Sequence, residues 1–557
     1  MPFQNIDLIR GSLELEVNAL SIADCHPAAV APGLTRLFAE FCAAAAGVRP
    51  FYGFVPFDAG WQARPALPAH WTELVDLLAA QNPQAGDAGR AALASLRGGA
   101  GIVVTGQQVG LLGGPMFVPL KAATAVARAR KASEAGRPHA AVFWLATEDH
   151  DFAEIDHVVF PSRRELTRLV YDKAPAAPVR VGGVVLDETI LPLLEQAWEL
   201  VGYSDAMEAL AAAYTPGRTF GQAFAEFYAR VFAAQGLLIF DAEGREAHRL
   251  GAPVLRAALE RADELHAALD ERNSALTAAG YHAQVAVAAH SSLLFLIDAK
   301  TGARVALKRE PPSAAEPAGV WLAGRDRYST AELVGILEAE PERISPAALL
   351  RPVFQDFLFS TSLTIGGPAE IAYFAQSAVL FEKILGRMTH AEPRFSATLI
   401  EPAMGELLRT HELTLDRVFN ENADSLAQLL AARAMPVEGK TRLAAAGNAL
   451  DEELTPLLAW MHALDAGLGR SGDTAARKMR YQMNRLRRLA ANFQMQREES
   501  LKRHADAISR AVFPGGVLQE RMHGAAYYFG RYGLELAERL TAEAAASTCC
   551  SHASLWL

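Results

Sequence analysis

Cysteine is scarce. The 557 residues hold four, at positions 25, 42, 549 and 550. They match neither the C-x-x-C spacing of a zinc site nor the dense framework of a disulfide-stapled secreted domain. The sequence therefore predicts a reducing compartment and gives the cysteines no role, since nothing near Cys549 and Cys550 in the polar tail would stabilise a thiolate. Long apolar runs are missing as well: no stretch reaches the roughly 18 residues a membrane-spanning helix needs. No charged leader followed by an apolar core opens the chain, so the expected location is the cytoplasm, with no membrane partner. Excess positive charge is also absent, and a formal charge of −10 argues against nucleic acid as the partner of the whole surface. Three motifs fail to appear: the phosphate loop G-x-x-x-x-G-K-[ST], the strict G-x-G-x-x-G of dinucleotide dehydrogenases, and the H-E-x-x-H of zinc proteases.

What is present is concentrated between Gly101 and His157. Ile102, Val103 and Val104 form a short β-branched run that opens into Thr105-Gly106-Gln107-Gln108, and a glycine-rich loop containing Gly113 and Gly114 then delivers Pro115 to the expected first position of a helix. That helix should end near Gly136, and residues 140–145 (AAVFWL) read as a second buried strand. The unit is a βαβ crossover, which requires a parallel sheet. Ligands bind beyond the carboxyl ends of such strands, so Gln107 and Gln108 should face the cluster Glu148-Asp149-His150-Asp151 across one crevice. Neutral amides suit recognition, whereas His150 with Asp149, Asp151 and Glu154 can orient an amine or accept its proton.

Were the segment helical from His150 onward, His150, Glu154 and His157 would share a face and could ligate a metal, with His282 and His290 as further ligands. That would make a metal-dependent hydrolase.

At this length the chain exceeds one hydrophobic core. Residues 1–100 are mostly helical in pattern, interrupted at 49–57 by an aromatic and proline-rich loop expected to pack inward. Short strands are expected over 158–172 and 178–186, amphipathic helices over 189–234, a buried strand at 237–241, and a long helix to about residue 279. Residues 292–298 and 303–309 read as a β-hairpin. Residues 351–356 read as β-rich, and Gly366-Gly367-Pro368 then opens a helix whose free amides could hold phosphate or carboxylate, with Glu370 and Tyr373 in its first turns. From about 403 to 511 the pattern changes to heptads, one seam from Met404 to Leu429 and another from Leu443 to Leu468. A third helix carries a basic run from Arg477 to Arg488 that could serve phosphates. The expected division is a core of 1–402 with insertions, a coiled-coil region of 403–511, and a segment of 512–557 returning to the core. A noncatalytic coiled-coil scaffold would explain 403–511 but would leave two polar strand ends without purpose.

The segments VVTGQQVGLLGGP with Lys121, VFWLATEDHDFAEIDHV, GYHAQV, RPVFQDF with IGGPAEIAYFAQ, and LQERMHGAAYYFGRYG, in this order, resemble those of the BshC family, the cysteine ligases of bacillithiol synthesis. The resemblance implies an α/β fold with a Rossmann-like core, connecting insertions and a long coiled-coil domain; the apolar seams of 403–511, longer than an intramolecular hairpin needs, predict a homodimer through that region. It implies amide formation between the carboxyl group of cysteine and the amine of glucosaminyl-malate. Because a free carboxylate does not form amides in water unaided, it also implies ATP, an aminoacyl adenylate, and no metal beyond magnesium accompanying the nucleotide. It extends the candidate residues to Tyr281 and His282 for substrate, beside Thr105, Gly106, Gln107, Gln108, Gly113 and Gly114. For the nucleotide it adds Arg521 to Gly366, Gly367, Glu370 and Tyr373.

Overall fold

A computed structural model describes residues 34–162, 164–288, 290–310, 319–497, 499–547 and 550–557. At its centre lies a five-stranded sheet in the order His390–Pro393, Leu363–Gly366, Gly101–Gln107, His139–Leu145, Leu238–Asp241. Every pairing in it is parallel. The β-branched run explains the placement: alternate side chains of a strand point to opposite faces, and here both faces are covered. Val103, Ala141, Phe143 and Leu145 enter one apolar cluster, while Ile102, Val104, Ala140, Val142 and Trp144 enter another. Phe143 is fully buried, with ring centroids 6.0 Å from Phe224 and 5.6 Å from Tyr228. Truncating such a side chain costs about 3–5 kcal/mol.

The expected crossover is observed, with the helix Phe117–Glu134 joining two paired strands. It begins two residues later than expected. Pro115 instead forms a bridge with Gly524, and the Met116 amide donates to His523 O at 2.8 Å, so this backbone ties the loop to the C-terminal segment.

Other expectations divide. The first 33 residues of the expected N-terminal helical stretch lie outside the described residues. The aromatic loop packs inward, with Phe51, Tyr52 and Phe54 buried. The hairpin Ser291–Ile297 and Arg304–Glu310 forms within a second sheet, and His157–Pro161 pairs with Leu166–Val170. Residues 178–186 do not form strands but a 3₁₀ turn at Val181–Gly183 flanked by isolated bridges. Arg351–Phe359 is a helix rather than β structure. Pro352 occupies its first turn, where a missing N–H costs nothing, and burial of Val353, Phe354, Leu358 and Phe359 follows helical spacing. The long helix beyond residue 241 is two, Arg245–Glu260 and Ala262–Ala278.

The helical region also departs from its heptads. The seam from Met404 to Leu429 is split into Pro402–Thr410, Leu415–Phe419 and Ala423–Ala434. Thr414 and Asn422 accept from the Arg417 and Ser425 amides, and these N-caps start new helices where the apolar rhythm alone would continue one. Val437–Leu464 and Ala466–Arg497 then form a long hairpin. The chain returns through Ala525–Tyr532, packed in the first apolar cluster, and ends as His552–Trp556 alongside Ser396–Ile400. The cysteine expectation fails here: Cys42 and Cys550 form a disulfide across 508 residues of sequence. Cys25 and Cys549 lie outside the described residues. No helix among the described residues is long and apolar enough to cross a membrane.

Candidate active site

Both polar clusters emerge at the carboxyl ends of adjacent strands, and they touch. Gln108 Nε2 donates to Asp149 Oδ2 at 3.1 Å. Gly106 lets the strands approach, because a Cβ there would meet Trp144 O at 2.9 Å. Beneath them lies Lys121, projecting from the crossover helix with 2 % of its surface exposed. Its ammonium donates to Gly106 O at 2.8 Å and Gln107 Oε1 at 2.9 Å and pairs with Glu370. Burial lowers the Lys121 pKa, and Glu370 opposes that shift. Glu370 also accepts from the Gly367 amide at 2.7 Å, capping the helix Pro368–Leu385. The second glycine loop and the first are thus joined through one buried lysine.

A cavity of about 300 Å³ opens above this junction, with Gly106, Gln107, Gln108, Gly367, Glu370 and Tyr373 on its walls. Three arginines from distant segments complete it: Arg351, Arg394 and Arg521. Arg394 and Arg521 lie over the ring of Phe117 at 5.5 and 6.0 Å. Burial and then the neighbouring Arg394 lower the Arg521 pKa, so an anion between the two guanidiniums would relieve a repulsion. The buried Nε atoms of Arg351 and Arg394 have no hydrogen-bond partner among the described residues.

Asp149 and Arg351 also line a second cavity of about 570 Å³, whose walls include His150, Asp263, His266, Asp270, Arg304 and Arg309. Burial by itself would raise the Asp149 carboxyl. Arg351, the His150 amide, Gln108 and Arg304 outweigh that and hold it below its ordinary range. Arg304 Nη1 meets His150 Nδ1 at 3.0 Å. A guanidinium can only donate, so Nδ1 accepts and the ring proton resides on Nε2. Burial and then Arg351 bring Arg304 down to about 10. Under this edge, Glu148 and His248 form a buried pair at 2.9 Å.

Not every expected residue arrives. Asp151 and Glu154 are exposed and line neither cavity. Phe152–Glu154 is a single 3₁₀ turn rather than the start of a helix, and His157 Nδ1 meets Asp156 at 2.8 Å. The face that would have aligned His150, Glu154 and His157 does not exist, and among the described residues no group of three such side chains could hold a metal. Thr105 is buried, its hydroxyl donating to Ile365 O at 2.9 Å. Gly113 sits at φ 84°, where a Cβ would meet Phe227 Cε1 at 2.7 Å, and the Tyr214 and Tyr228 hydroxyls hold its amide and carbonyl. Gly114, at φ 68°, accepts at its carbonyl from the Ala525 amide. These two glycines shape the loop from behind. Tyr281 donates to Glu40 at 2.5 Å in the N-terminal aromatic cluster, and His282 is exposed outside both cavities. Only Gln284 and Val285 of that motif reach a cavity wall.

Sequence reasoning left Lys121 out of the site, along with Arg304, Arg351 and Arg394. Lys121 had a signal: it is the lone charge in the apolar run PMFVPLKAATAVA. The arginines had none, since each is one basic residue among many.

Residues 23–395 match the family described as Bacillithiol biosynthesis BshC, N-terminal Rossmann-like domain, and residues 397–548 match Bacillithiol biosynthesis BshC, C-terminal coiled-coil domain. Three similar proteins carry the name "Putative cysteine ligase BshC". That of Koribacter versatilis is 40% identical over 539 residues, 95% of this chain and 99% of the relative. That of Solibacter usitatus is 34% identical over 516 residues, 91% and 95%. That of Salinibacter ruber is 30% identical over 534 residues, 92% and 95%. With both domain matches in chain order over a parallel-sheet core and a helical hairpin, the chain belongs to the BshC family.

Proposed function

We propose that this protein is a cytoplasmic cysteine ligase that joins the carboxyl group of L-cysteine to the amine of glucosaminyl-malate, giving bacillithiol. The observation that carries this reading is the shared wall: Asp149 and Arg351 border both cavities. An amide-forming enzyme needs such an edge, where an acid held on one side meets an amine held on the other. The cation-lined side suits the acid, with Arg351, Arg394 and Arg521 on its wall. The larger side sets Asp263, His266 and Asp270 near Arg304 and Arg309, which suits a sugar bearing carboxylates.

The same cations fit the phosphates of ATP, which would supply the activation a free carboxylate lacks. Gly366, Gly367, Arg394, Arg521 and the Tyr373 ring would hold it. Glu370, already committed to Lys121 and the Gly367 amide, organises that wall rather than contacting phosphate. Asp149, anionic at neutral pH, holds the amine, which has already lost its ammonium proton to water, and takes a second proton as the neutral nitrogen attacks. A weak base suffices there, because nitrogen bonded to an acyl carbon becomes strongly acidic. His150, with Nδ1 facing Arg304, can donate from Nε2 to a hydroxyl of the sugar and so orient its amine beside Asp149.

The helical hairpin supports a homodimer. Trp460 and Phe493 are 59% and 61% exposed, and Leu464, Leu486 and Leu489 are exposed beside them, a longer apolar surface than one hairpin covers. Incubation with cysteine, glucosaminyl-malate and ATP, followed by mass spectrometry for the ligated thiol, tests the function. Absence of product with every component present and folded protein would refute it.

A further inference from the structure

A third cavity, of about 400 Å³, lies between the first described helix and the C-terminal strand, and the disulfide forms part of its wall through Cys550. Arg394 and Arg521 line it as well. Its one acid among the described residues is Glu520, which is spent: it takes Arg394 at 2.5 Å, the Ser396 hydroxyl at 2.9 Å and the Ala397 amide at 3.0 Å. Arg521, an exposed residue, has no ion-pair partner among the described residues, so the cavity keeps a net positive charge on the wall it shares with Cys550. Across the bond, Cys42 is only half-buried and does not line this wall.

We propose that this cavity is a thiol-exchange site for low-molecular-weight thiols that carry carboxylates. The thiolate of the small molecule attacks Cys550 Sγ from the cavity, a new S–S bond forms there, and the Cys42–Cys550 bond breaks. The electron pair leaves on Cys42 as a thiolate, which takes a proton from water. No external oxidant enters, because one disulfide replaces another. Arg521 draws the carboxylate in, raising the local concentration of anionic thiols over neutral ones by about tenfold or more. A disulfide that persists only through exchange is the usual kind in a reducing compartment. Arg521 also borders the cavity of about 300 Å³, so the exchange is measured without nucleotide.

The test uses the full chain carrying Cys25→Ser and Cys549→Ser, which leaves Cys42 and Cys550 as its two cysteines. The protein is first equilibrated with oxidised mercaptosuccinate, then treated with reduced mercaptosuccinate or 2-mercaptoethanol at equal thiolate concentration, and acid-quenched samples are mapped by mass spectrometry. The expected result is a Cys42–Cys550 linked peptide at the start. An adduct on Cys550 should then form at least about tenfold faster with mercaptosuccinate, and Arg521→Gln should remove that preference. Equal rates for the two thiols, an adduct confined to Cys42, or no linked peptide after oxidation would each overturn the proposal. Circular dichroism of Arg521→Gln guards against misfolding, and Arg521→Lys, which keeps the charge, should retain the preference.

Discussion

Basic residues occur in two very different settings in this molecule, the carboxyl edge of the sheet and the long helical hairpin. At the edge, Lys121, Arg304 and Arg394 are buried, and each is met by carbonyls, carboxylates or a ring. On the hairpin, Arg477, Lys478, Arg485 and Arg488 are exposed along a face that shares its helix with exposed Leu486, Leu489 and Phe493. A buried cation requires partners or an anion, so its position specifies a site, whereas an exposed one is satisfied by water wherever it falls. The net charge of −10 hides both arrangements. The lesson is that burial marks Lys121, Arg304 and Arg394 as site-forming, while the exposed Arg521 is marked by the cavities it borders.

The sharpest way to break this contrast is at Lys121. Replacing it by Met removes the ammonium that joins Gly106, Gln107 and Glu370, leaving Glu370 beside an apolar chain. Ligation should fall by about a hundredfold to a thousandfold, the worth of a lost preorganised charge, and stability by about 3–5 kcal/mol. Urea denaturation alongside the ligation assay measures both. A Lys121→Met protein as stable and active as the parent would show that burial does not mark this charge as special. Next in size is Asp149→Asn, which keeps an oxygen for Gln108 but loses the proton acceptor. Its kcat should fall by about a hundredfold, with KM for ATP nearly unchanged; a wild-type kcat would move the proton acceptor elsewhere.

The meeting of the two polar strand ends was legible because strand period, β-branching and crossover geometry are local properties with one topological outcome. Gln108 and Asp149 therefore fell together as expected. Asp151 and Glu154 did not follow, because a single 3₁₀ turn replaced the expected helix and turned them to solvent. The arginines were illegible for a different reason. Arg351, Arg394 and Arg521 come from three segments whose approach depends on the packing of the whole sheet. The Cys42–Cys550 bond is the extreme case, since no local pattern relates residues 508 apart. Heptads over-predicted helix continuity in 403–434, where Thr414 and Asn422 caps decided the boundaries.

A buried acid sharpens the comparison through pH. Burial pushes Glu243 up to about 7; Arg180, 3.0 Å away, opposes this, and Asp241 adds to it. A folded-state value above the ordinary 4.5 means the native protein binds this proton more tightly than the unfolded chain. The associated stability is present below about pH 4.5 and is lost as pH rises through about 7, amounting to about 3 kcal/mol at most. Burial brings His523 and His552 down to about 4, which acts in the opposite direction, removing stability as pH falls from about 6.5 towards 4. Only the difference between parent and Glu243→Gln isolates the glutamate. The variant should lose the decline between pH 4.5 and 7 in denaturation midpoints; parallel curves for the two proteins would place the Glu243 charge in solvent-like surroundings.

The smallest effect on folding is expected at the hairpin, and its smallness is the point. Trp460 and Phe493 are exposed within one chain, so replacing both by Ser removes no core contact. Stability of the sheet region should change by less than about 0.5 kcal/mol per substitution, the usual range for such surface positions. What should change is association. If these apolar side chains meet a second copy, the parent sediments at twice the mass of one 59.9 kDa chain at micromolar concentration, and the double variant sediments as a single chain. Core stability and association are then read from the same two proteins. A parent that already sediments as one chain would leave the hairpin's apolar face to another partner. A double variant that loses core stability would mean that the hairpin and the sheet edge are coupled, and that their contrast in burial is a property of the assembled protein.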